Sequence, residues 1–297
     1  MSPLIEPVVA DCDAARVRIV GRGLVARAVG RIAEHHEDAV FFASGTGDSS
    51  CRDGVEFARE LERLGATLEH CSRTDRRLVF CSSAGAVYGD VTEARHEGTP
   101  CRPTTPYGWH KLQCEELIRE SGGRFLILRI ANLIGPGANG QQLLPNLVRQ
   151  VLNGRVRVFR HATRDLIGHE RLASIVDELL EHVAERDTVV VASGIAVPVS
   201  ELVATIQRLL QTNAVVEFLD AGSPQRFCVK KLLALAPKAT RFDSDEPWFV
   251  VRELVPRLAE EYTAHSLRTH VAGERPRSWS HSRGKAHREV SCSKDVS

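Results

Sequence analysis

Short apolar runs along the chain alternate with longer segments in which apolar residues recur three or four positions apart. The first run, residues 17–20, leads through a glycine turn into Leu24, Val25, Val29 and Ile32, which fall on one helical face. Similar runs follow as far as residue 132. The pattern predicts strands at 17–20, 39–46, 77–83 and 124–132, separated by helices that begin near residues 24, 54 and 106.

Strands that are almost continuously apolar are typical of a parallel sheet with helices on both faces, so we predict an α/β protein with a doubly wound sheet. The rhythm changes after the segment GPGANG, residues 135–140. We assign the last segment, residues 198–262, to a smaller second lobe. Helices are predicted at 142–152, 198–211, 228–235 and 247–262, and strands at 155–159, 188–194 and 214–220.

Composition narrows the class of protein. The chain has 297 residues, 43% apolar and 26% charged, which suits one large or two modest globular domains. Its net charge of +1 provides no basic field, so we expect neither nucleic acid nor a membrane as a partner. No apolar run reaches the roughly 18 residues of a membrane helix and the N-terminus has no signal-peptide pattern, which indicates a cytoplasmic protein. Residues 266–297 are polar and basic, and we expect a disordered tail there.

The eight cysteines are scattered along the chain without a C-x-x-C pair and without clustering with histidine. Neither a disulfide framework nor a metal site is therefore predicted.

The glycine turn after the first strand has the pattern Gly21-Arg22-Gly23-x-x-Ala26. Such a turn lets the backbone approach a pyrophosphate and directs helix N–H groups towards it. The same pattern also occurs in tight strand-to-helix turns that bind nothing. Other residues must therefore decide between the two interpretations.

A Tyr and a Lys stand four residues apart in the segment TTPYGWHKLQCEELI, residues 104–118. Thr105 and Pro106 suit the N-cap and first position of a helix, so Tyr107 and Lys111 should share one helical face. An adjacent ammonium favours the phenolate and would bring the pKa of the phenol towards the neutral range. The alternative is a surface Tyr stacked on the aliphatic stem of the Lys.

A pair of serines, Ser82 and Ser83, ends the strand predicted at 77–83. Open α/β sheets bind ligands at the carboxyl ends of their strands, so these hydroxyls should lie near Tyr107. A Ser hydroxyl, a Tyr and a Lys beside a dinucleotide turn make a coherent catalytic set.

These segments together resemble the extended short-chain dehydrogenase/reductases, in particular the nucleotide-sugar epimerase/dehydratase/reductase group. The resemblance extends over about residues 17–195 and more loosely to about 262. The segments that carry it are VGRGLVA, LVFCSSAGAVYGD, EGTPCRPTTPYGWHKLQCEELI, LRIANLIGPG and RDLIGHERLASIV.

The resemblance implies a shortened Rossmann-like fold and a role for each matching residue. Tyr107 would be the catalytic acid/base, Lys111 would bind the nicotinamide ribose, and Ser83, with Ser82 as the alternative, would hold the substrate oxygen. Asn132 and Arg164 would contact the sugar nucleotide and its diphosphate. Without the resemblance, a strand-end cap and a surface salt bridge with Asp165 would be the favoured interpretations of these two residues. The implied cofactor contacts are Gly21, Arg22, Gly23, Leu24, Val25, Ala43, Ser44, Tyr107 and Lys111.

The same resemblance implies a division into two parts. A dinucleotide-binding domain would take residues 14–132 and about 164–193. A smaller C-terminal substrate-binding lobe would take 133–163 and 194–263.

Three departures from the family pattern shape the expected function. Only about a dozen residues follow the first helix before the strand at 39–46, where the family has two more strands and the acidic residue that binds the adenosine ribose. Val20 stands at the place of the usual first glycine. Ala84 and Gly85 follow Ser83 where dehydratases have an acid pair, which argues strongly against water elimination.

The resemblance therefore leaves a reductase or an epimerase, and the short adenosine half favours the reductase, which releases its cofactor in every turnover. Compact chains of this shape resemble 4-ketoreductases that act on a dTDP-4-keto-6-deoxyhexose. We expect NADPH as the cofactor, with NADH as the alternative, because no acidic residue would repel a 2′-phosphate and Arg22 could bind it. The family also implies a homodimer. From another class, a non-catalytic dinucleotide sensor or scaffold protein of this fold stays open.

Overall fold

A computed structural model describes residues 18–90, 93–183, 185–241, 243 and 245–271, with side chains described as far as residue 265. In chain order the strands are β1 (Ile19–Val20), β2 (Ala39–Phe42), β3 (Arg77–Ser83), β4 (Phe125–Ile130), β5 (Asn132–Ile134), β6 (Arg155–Phe159), β7 (Thr163–Gly168), β8 (Arg186–Val191), β9 (Ala196–Pro198) and β10 (Val215–Leu219). The helices are α1 (Leu24–Val29), α2 (Gly54–Thr74), α3 (Ala84–Tyr88), α4 (Pro106–Glu120), α5 (Leu143–Leu152), α6 (His169–His182), α7 (Val199–Leu210), α8 (Lys230–Leu235) and α9 (Glu246–Val271).

A five-stranded parallel sheet, in the order β1-β2-β3-β4-β8, forms the centre of the fold. Helices cover both of its faces. Phe41 and Val79 pack with residues of α1 and α6 on one face, and Val40 and Phe80 pack with residues of α2 and α4 on the other. The predicted α/β architecture, with apolar strands buried on both faces, is confirmed.

The strand order differs in one respect from a doubly wound sheet, because it runs across the sheet without reversing. The connections β1-α1-β2 and β2-α2-β3 step the same way along the sheet, yet α1 and α2 lie on opposite faces. The two crossovers therefore have opposite hands, although nearly all parallel crossovers are right-handed. The reason is the short connection after β1, which contains only α1 and the single 3-10 turn Ile32–Glu34. That segment contains no additional pair of strands, which would have extended the sheet beyond β1 before the chain returned to form β2.

A second apolar core lies outside the central sheet. It joins α5, α7 and the first part of α9 to the paired strands β6 and β10 and to the small sheet β5-β7-β9. It consists largely of aliphatic side chains, among them Leu147 of α5, Leu202 of α7 and Val255 of α9. The division into a cofactor domain and a substrate lobe remains a proposal that this second core supports.

The chain separates into compact units at residues 1–259 and 260–297. Of the second unit the structure describes the end of α9, which continues to Val271, whereas the tail was expected to begin at residue 266. Residues 272–297, the rest of that tail, lie outside the described residues. Within the described part of the chain, no helix is both long enough and apolar enough to cross a membrane.

Candidate active site

The helix α4 carries Tyr107 and Lys111 and begins as its sequence predicts. The Thr105 hydroxyl accepts a hydrogen bond from the Gly108 N–H at 3.1 Å, and Pro106 is the first helical residue. Tyr107 and Lys111 are 8% and 4% exposed, so both side chains face the sheet. The alternative of a Tyr and Lys stacked on the surface is therefore wrong.

Glycine at position 108 lets α4 pack closely on α3. A Cβ on Gly108 would lie 2.5 Å from the Ala86 carbonyl oxygen, which no side chain could tolerate without backbone movement. This close packing brings Tyr107 to the end of β3, where Ser83 lies.

The two serines at the end of β3 have separate partners. The Ser82 hydroxyl is buried and donates to Glu115 Oε1 at 2.6 Å, in an ionic network with Arg129. Ser83 instead lies close to the Tyr107 phenol and lowers its pKa. The geometry thus favours Ser83 over Ser82 as the serine of the candidate catalytic set.

A residue that sequence analysis missed, Glu60 of α2, lies directly against Lys111. Lys111 Nζ donates to Glu60 Oε1 at 2.6 Å, and the glutamate is 1% exposed. His110 Nε2 lies 2.9 Å from the other oxygen, Oε2. The available signal was periodicity, because Glu60 shares the buried stripe of α2 with Leu64 and Thr67.

The charges around Tyr107 correct one expectation from the sequence. Burial raises the pKa of the Tyr107 phenol, the Lys111 ammonium lowers it, the Glu60 carboxylate raises it, and the hydrogen bond with Ser83 lowers it. The net direction is upward. The ammonium was expected to bring this pKa towards neutrality, but burial and the carboxylate outweigh it. At neutral pH Tyr107 is a neutral phenol.

The glycine turn fits the pyrophosphate of a dinucleotide. Gly21 has a φ of +134°, and a Cβ there would lie 2.3 Å from the Ala43 carbonyl oxygen, so the ends of β1 and β2 meet closely. No described atom lies within 4 Å of the position that a Cβ on Gly23 would take, which leaves the backbone open to a ligand. Ser44 follows Ala43 in the loop after β2.

The other proposed cofactor contacts differ in exposure. Arg22 is exposed, Leu24 is buried, and Val25 is half-buried against the core. Val25 packs against the core on one face of the sheet and Leu24 is buried near Gly135, so their backbone groups are the parts that could reach a cofactor. Arg27, also on α1, donates to the Gly137 carbonyl at 3.4 Å.

The residues proposed for substrate binding lie at the carboxyl end of the sheet and the start of β7. Asn132 Nδ2 donates to the Asp165 carbonyl and to Gln225 Oε1, both at 3.0 Å. Asp165 is buried and accepts from the Ser193 N–H, the Ser193 hydroxyl and the Gly194 N–H, each at 2.8 Å. Its carboxylate therefore belongs to a turn after β8, and the surface salt bridge with Arg164 that the sequence also allowed is wrong.

Arg164 is half-buried and donates to the Thr163 carbonyl at 2.8 Å. Burial lowers the pKa of its guanidinium, while the nearby Asp90 carboxylate raises it. A guanidinium with one backbone partner keeps donors available for an anion.

Gln225 is a second residue that sequence analysis missed. A Cβ on Gly85 would lie 2.5 Å from Gln225 Nε2, so this amide occupies the space beside Gly85, where dehydratases have an acid. Gln225 lies in the loop before α8, and no hydrophobic periodicity in the sequence marks that position. Its amide is a neutral hydrogen-bonding group, which agrees with the argument against water elimination.

Glu60, His110 and Cys114 bring one ligand atom each within 4.8 Å of one another. The Lys111 ammonium binds the same carboxylate and would repel a metal cation. We interpret the group as a buried hydrogen-bonding cluster around an ion pair.

Comparison with known proteins identifies relatives of this fold. Residues 21–192 match the model of the NAD dependent epimerase/dehydratase family. A dTDP-4-dehydro-6-deoxyglucose reductase of Escherichia coli is 28% identical over 154 residues, 48% of this chain and 49% of the relative. The matched region thus spans about half the length of that curated relative.

Several solved structures share the fold. RMD of Pseudomonas aeruginosa, solved with NADPH, superposes with a TM-score of 0.65 at 21% identity and covers 82% of this chain and 88% of its own. A UDP-glucuronic acid 4-epimerase of Bacillus cereus, solved with UDP-glucuronic acid and NAD, gives a TM-score of 0.65 at 17% identity, covering 80% and 81%.

The family model covers more than half of the chain and includes the glycine turn, the serine pair and the Tyr-x-x-x-Lys helix. The five-stranded parallel sheet and its flanking helices agree with the architecture of the solved relatives. This chain belongs to the NAD dependent epimerase/dehydratase family.

Proposed function

We propose that this protein uses NAD(P)H to reduce a keto group of a nucleotide-activated sugar, namely the 4-keto group of a dTDP-4-keto-6-deoxyhexose. The observation that carries the proposal is the position of Tyr107, which is buried at the end of β3 beside Ser83, with Lys111 Nζ 5.7 Å from the centroid of its ring. The similarity to the Escherichia coli reductase supports the choice of sugar.

The proton chemistry follows from the protonation state of Tyr107. When bound, a reduced nicotinamide supplies the hydride that adds to the carbonyl carbon. The electron pair of the C=O π bond moves onto the carbonyl oxygen, which takes the proton from the Tyr107 O–H. Ser83 holds that oxygen beside the phenol, and the tyrosinate then regains a proton from solvent. A donor that is protonated at neutral pH suits this direction of reaction.

An epimerase of the same family is the second candidate. Its first step oxidises a sugar hydroxyl and needs Tyr107 as a base, hence as a phenolate. The upward direction of the Tyr107 pKa disfavours that step. The edge position of β1 also leaves the adenosine half without the strands that would retain a cofactor through two half-reactions. A non-catalytic sensor or scaffold is a third candidate, against which the buried Ser83, Tyr107 and Lys111 argue.

Turnover with defined substrates tests the function. The protein is incubated with 4-keto sugar nucleotides and each reduced nicotinamide, and the products are analysed by mass spectrometry. A mass gain of two hydrogens supports the reductase. An isomer of unchanged mass formed from a 4-hydroxy sugar nucleotide would support the epimerase, and no turnover of either class would support the binding protein.

Arg164 is proposed to bind the substrate diphosphate through charge-assisted hydrogen bonds. Arg164→Ala should raise KM for the sugar nucleotide about ten- to a hundredfold, because such bonds contribute about 1.5 to 3 kcal/mol, and should leave cofactor affinity unchanged. The matched control is Arg160→Ala, an exposed arginine whose guanidinium lies over the Phe218 ring. Equal weakening of cofactor binding would show that the assigned role is wrong.

The proposed cofactor preference is for NADPH. Arg22 is exposed inside the glycine turn, and a guanidinium binds a phosphate through paired hydrogen bonds that a ribose hydroxyl cannot replace. The unmodified protein should therefore use NADPH with a higher kcat/KM than NADH, and Arg22→Ala should remove the difference by weakening NADPH alone. Arg31→Ala, on an exposed arginine after α1, is the control. Equal use of both cofactors by the unmodified protein would contradict the proposal.

A homodimer is also proposed, with a second copy of the chain against α2 and α4. Trp109 is 59% exposed beside a groove of about 550 Å³ that includes Phe57 and Leu112. Light scattering tests the proposal, and a monomeric mass at micromolar concentration would contradict it.

A further inference from the structure

The buried ion pair of Glu60 and Lys111 lies behind the candidate catalytic phenol. Lys111 Nζ is 2.6 Å from Glu60 Oε1 and 5.7 Å from the centroid of the Tyr107 ring. The Glu60 carboxylate also lies against Gly45, where a Cβ would be 2.2 Å from Oε2. Gly45 has a φ of +119°, so the loop after β2 makes room for this carboxylate.

The pair is held as two charges. Burial raises the pKa of Glu60, but the hydrogen bond with His110 and the Lys111 ammonium outweigh burial and hold that pKa below its usual value. Burial lowers the pKa of Lys111, while Tyr107 and Glu60 raise it, and the net direction is upward. A carboxylate and an ammonium in contact form a dipole, whose field at Tyr107 is much weaker than that of an isolated ammonium.

Among the described residues, the other polar groups around the pair are two thiols, an imidazole and a hydroxyl. Cys81 of β3 and Cys114 of α4 face the Lys111 ammonium, and burial raises the pKa of each thiol to about 12, so both stay neutral. His110 of α4 faces the Glu60 carboxylate with its ring stacked on Phe57 of α2, 4.4 Å between centroids. Ser83 of β3 contributes an uncharged hydroxyl.

We propose that Glu60 is a positioning residue whose carboxylate offsets the Lys111 ammonium, and so extends to higher pH the range in which Tyr107 enters turnover as a neutral phenol able to donate a proton. The inference deepens the proposed keto reduction and rests on it. Glu60 thereby sets the pH range over which Tyr107 can donate: without it, an uncompensated ammonium would shift the phenol towards the phenolate, which is the form that alcohol oxidation requires.

Tyrosine ionisation measures this effect without substrate or cofactor. The chain has three tyrosines, so protein labelled with ¹³C at the ring carbon that bears the hydroxyl gives few signals, and Tyr107→Phe assigns one of them. We expect Glu60→Gln to lower the pKa of Tyr107 by about 1 to 3 pH units, the usual effect of an unscreened opposite charge at short range. Glu62→Gln, on an exposed glutamate of the same helix, should leave it unchanged.

Two further variants keep the test decisive if Glu60→Gln folds poorly. Glu60→Asp retains the charge and should retain most of the native Tyr107 pKa. The double variant Glu60→Gln with Lys111→Met removes both charges, a replacement that buried ion pairs often tolerate, and should return the pKa close to that of the native protein. An unchanged or raised Tyr107 pKa in Glu60→Gln, or a double variant that differs from the native protein as much as the single one, would overturn the inference.

The pH profile of activity separates this inference from the proposed function. Reduction needs the protonated phenol, so kcat/KM should fall as pH rises through the Tyr107 pKa. In Glu60→Gln that fall should move to lower pH by the same amount as the NMR titration. An NMR shift in a protein that reduces no keto sugar would support the role of Glu60 and reject the reductase.

Discussion

Tyr107→Phe is expected to fold normally, to bind the nicotinamide cofactor, and to lose about 10² to 10⁴ in kcat for keto-sugar reduction. The change deletes one hydroxyl, which is the proton donor to the developing alkoxide, and general acid catalysis is worth about that factor. The ring itself remains to pack between α4 and the sheet. Stopped-flow measurement of nicotinamide oxidation under single-turnover conditions would separate the chemical step from product release.

Tyr88→Phe is the matched control for this prediction. The Tyr88 hydroxyl donates to the His96 carbonyl at 2.8 Å and accepts from Arg129 Nη1 at 2.8 Å, outside the candidate catalytic set. Its removal should reduce stability by about 1 to 3 kcal/mol and leave the chemical step unchanged. A Tyr107→Phe protein with near-native kcat would remove Tyr107 from the mechanism.

Glu115→Ala is expected to cost about 3 to 5 kcal/mol of the free energy of unfolding. The Glu115 carboxylate is fully buried and accepts from the Ser82 hydroxyl at 2.6 Å, from Arg129 Nη2 at 2.7 Å and from Arg119 Nη2 at 2.7 Å. Removing it leaves the buried Arg129 guanidinium without its charge partner. Urea unfolding followed by circular dichroism would measure the loss.

The control for Glu115→Ala is Glu120→Ala at the exposed end of the same helix, which should change stability by no more than about 0.5 kcal/mol. Equal effects of the two substitutions would show that the buried network does not stabilise the fold.

The same network predicts the acid response. Burial raises the pKa of Glu115, but the hydrogen bond and charge of Arg129 outweigh it, so the pKa lies below the ordinary value of 4.5. A carboxyl group with a depressed folded pKa contributes stability that is fully present above its unfolded pKa and is lost as the pH falls through the folded value. As the pH falls below about 4.5, the free energy of unfolding of Glu115→Ala should therefore decrease less than that of the native protein.

The sequence alone determined the features that depend on neighbours along the chain. Thr105 and Pro106 begin α4, and four-residue spacing places Tyr107 and Lys111 on one face, because capping and helical periodicity act within a few residues. Apolar runs predicted the strands of the central sheet, since strands buried on both faces must be continuously apolar. The short segment after α1 predicted the shortened sheet, because it is too short to hold two more strands. The catalytic and binding roles of these residues stay predictions.

Only the tertiary structure decided the features that depend on contacts between distant segments. Lys111 meets Glu60 from 51 positions earlier, and Asn132 meets Gln225 from 93 positions later, and no local pattern specifies either pair. Ser82 and Ser83 are adjacent in the chain, but they lie against different residues of α4, Glu115 for Ser82 and Tyr107 for Ser83, which are eight positions apart. The pKa of Tyr107 reverses its expected direction for the same reason: spacing along α4 supplied the ammonium, whereas burial and a carboxylate from another helix, which outweigh it, exist only in the folded protein.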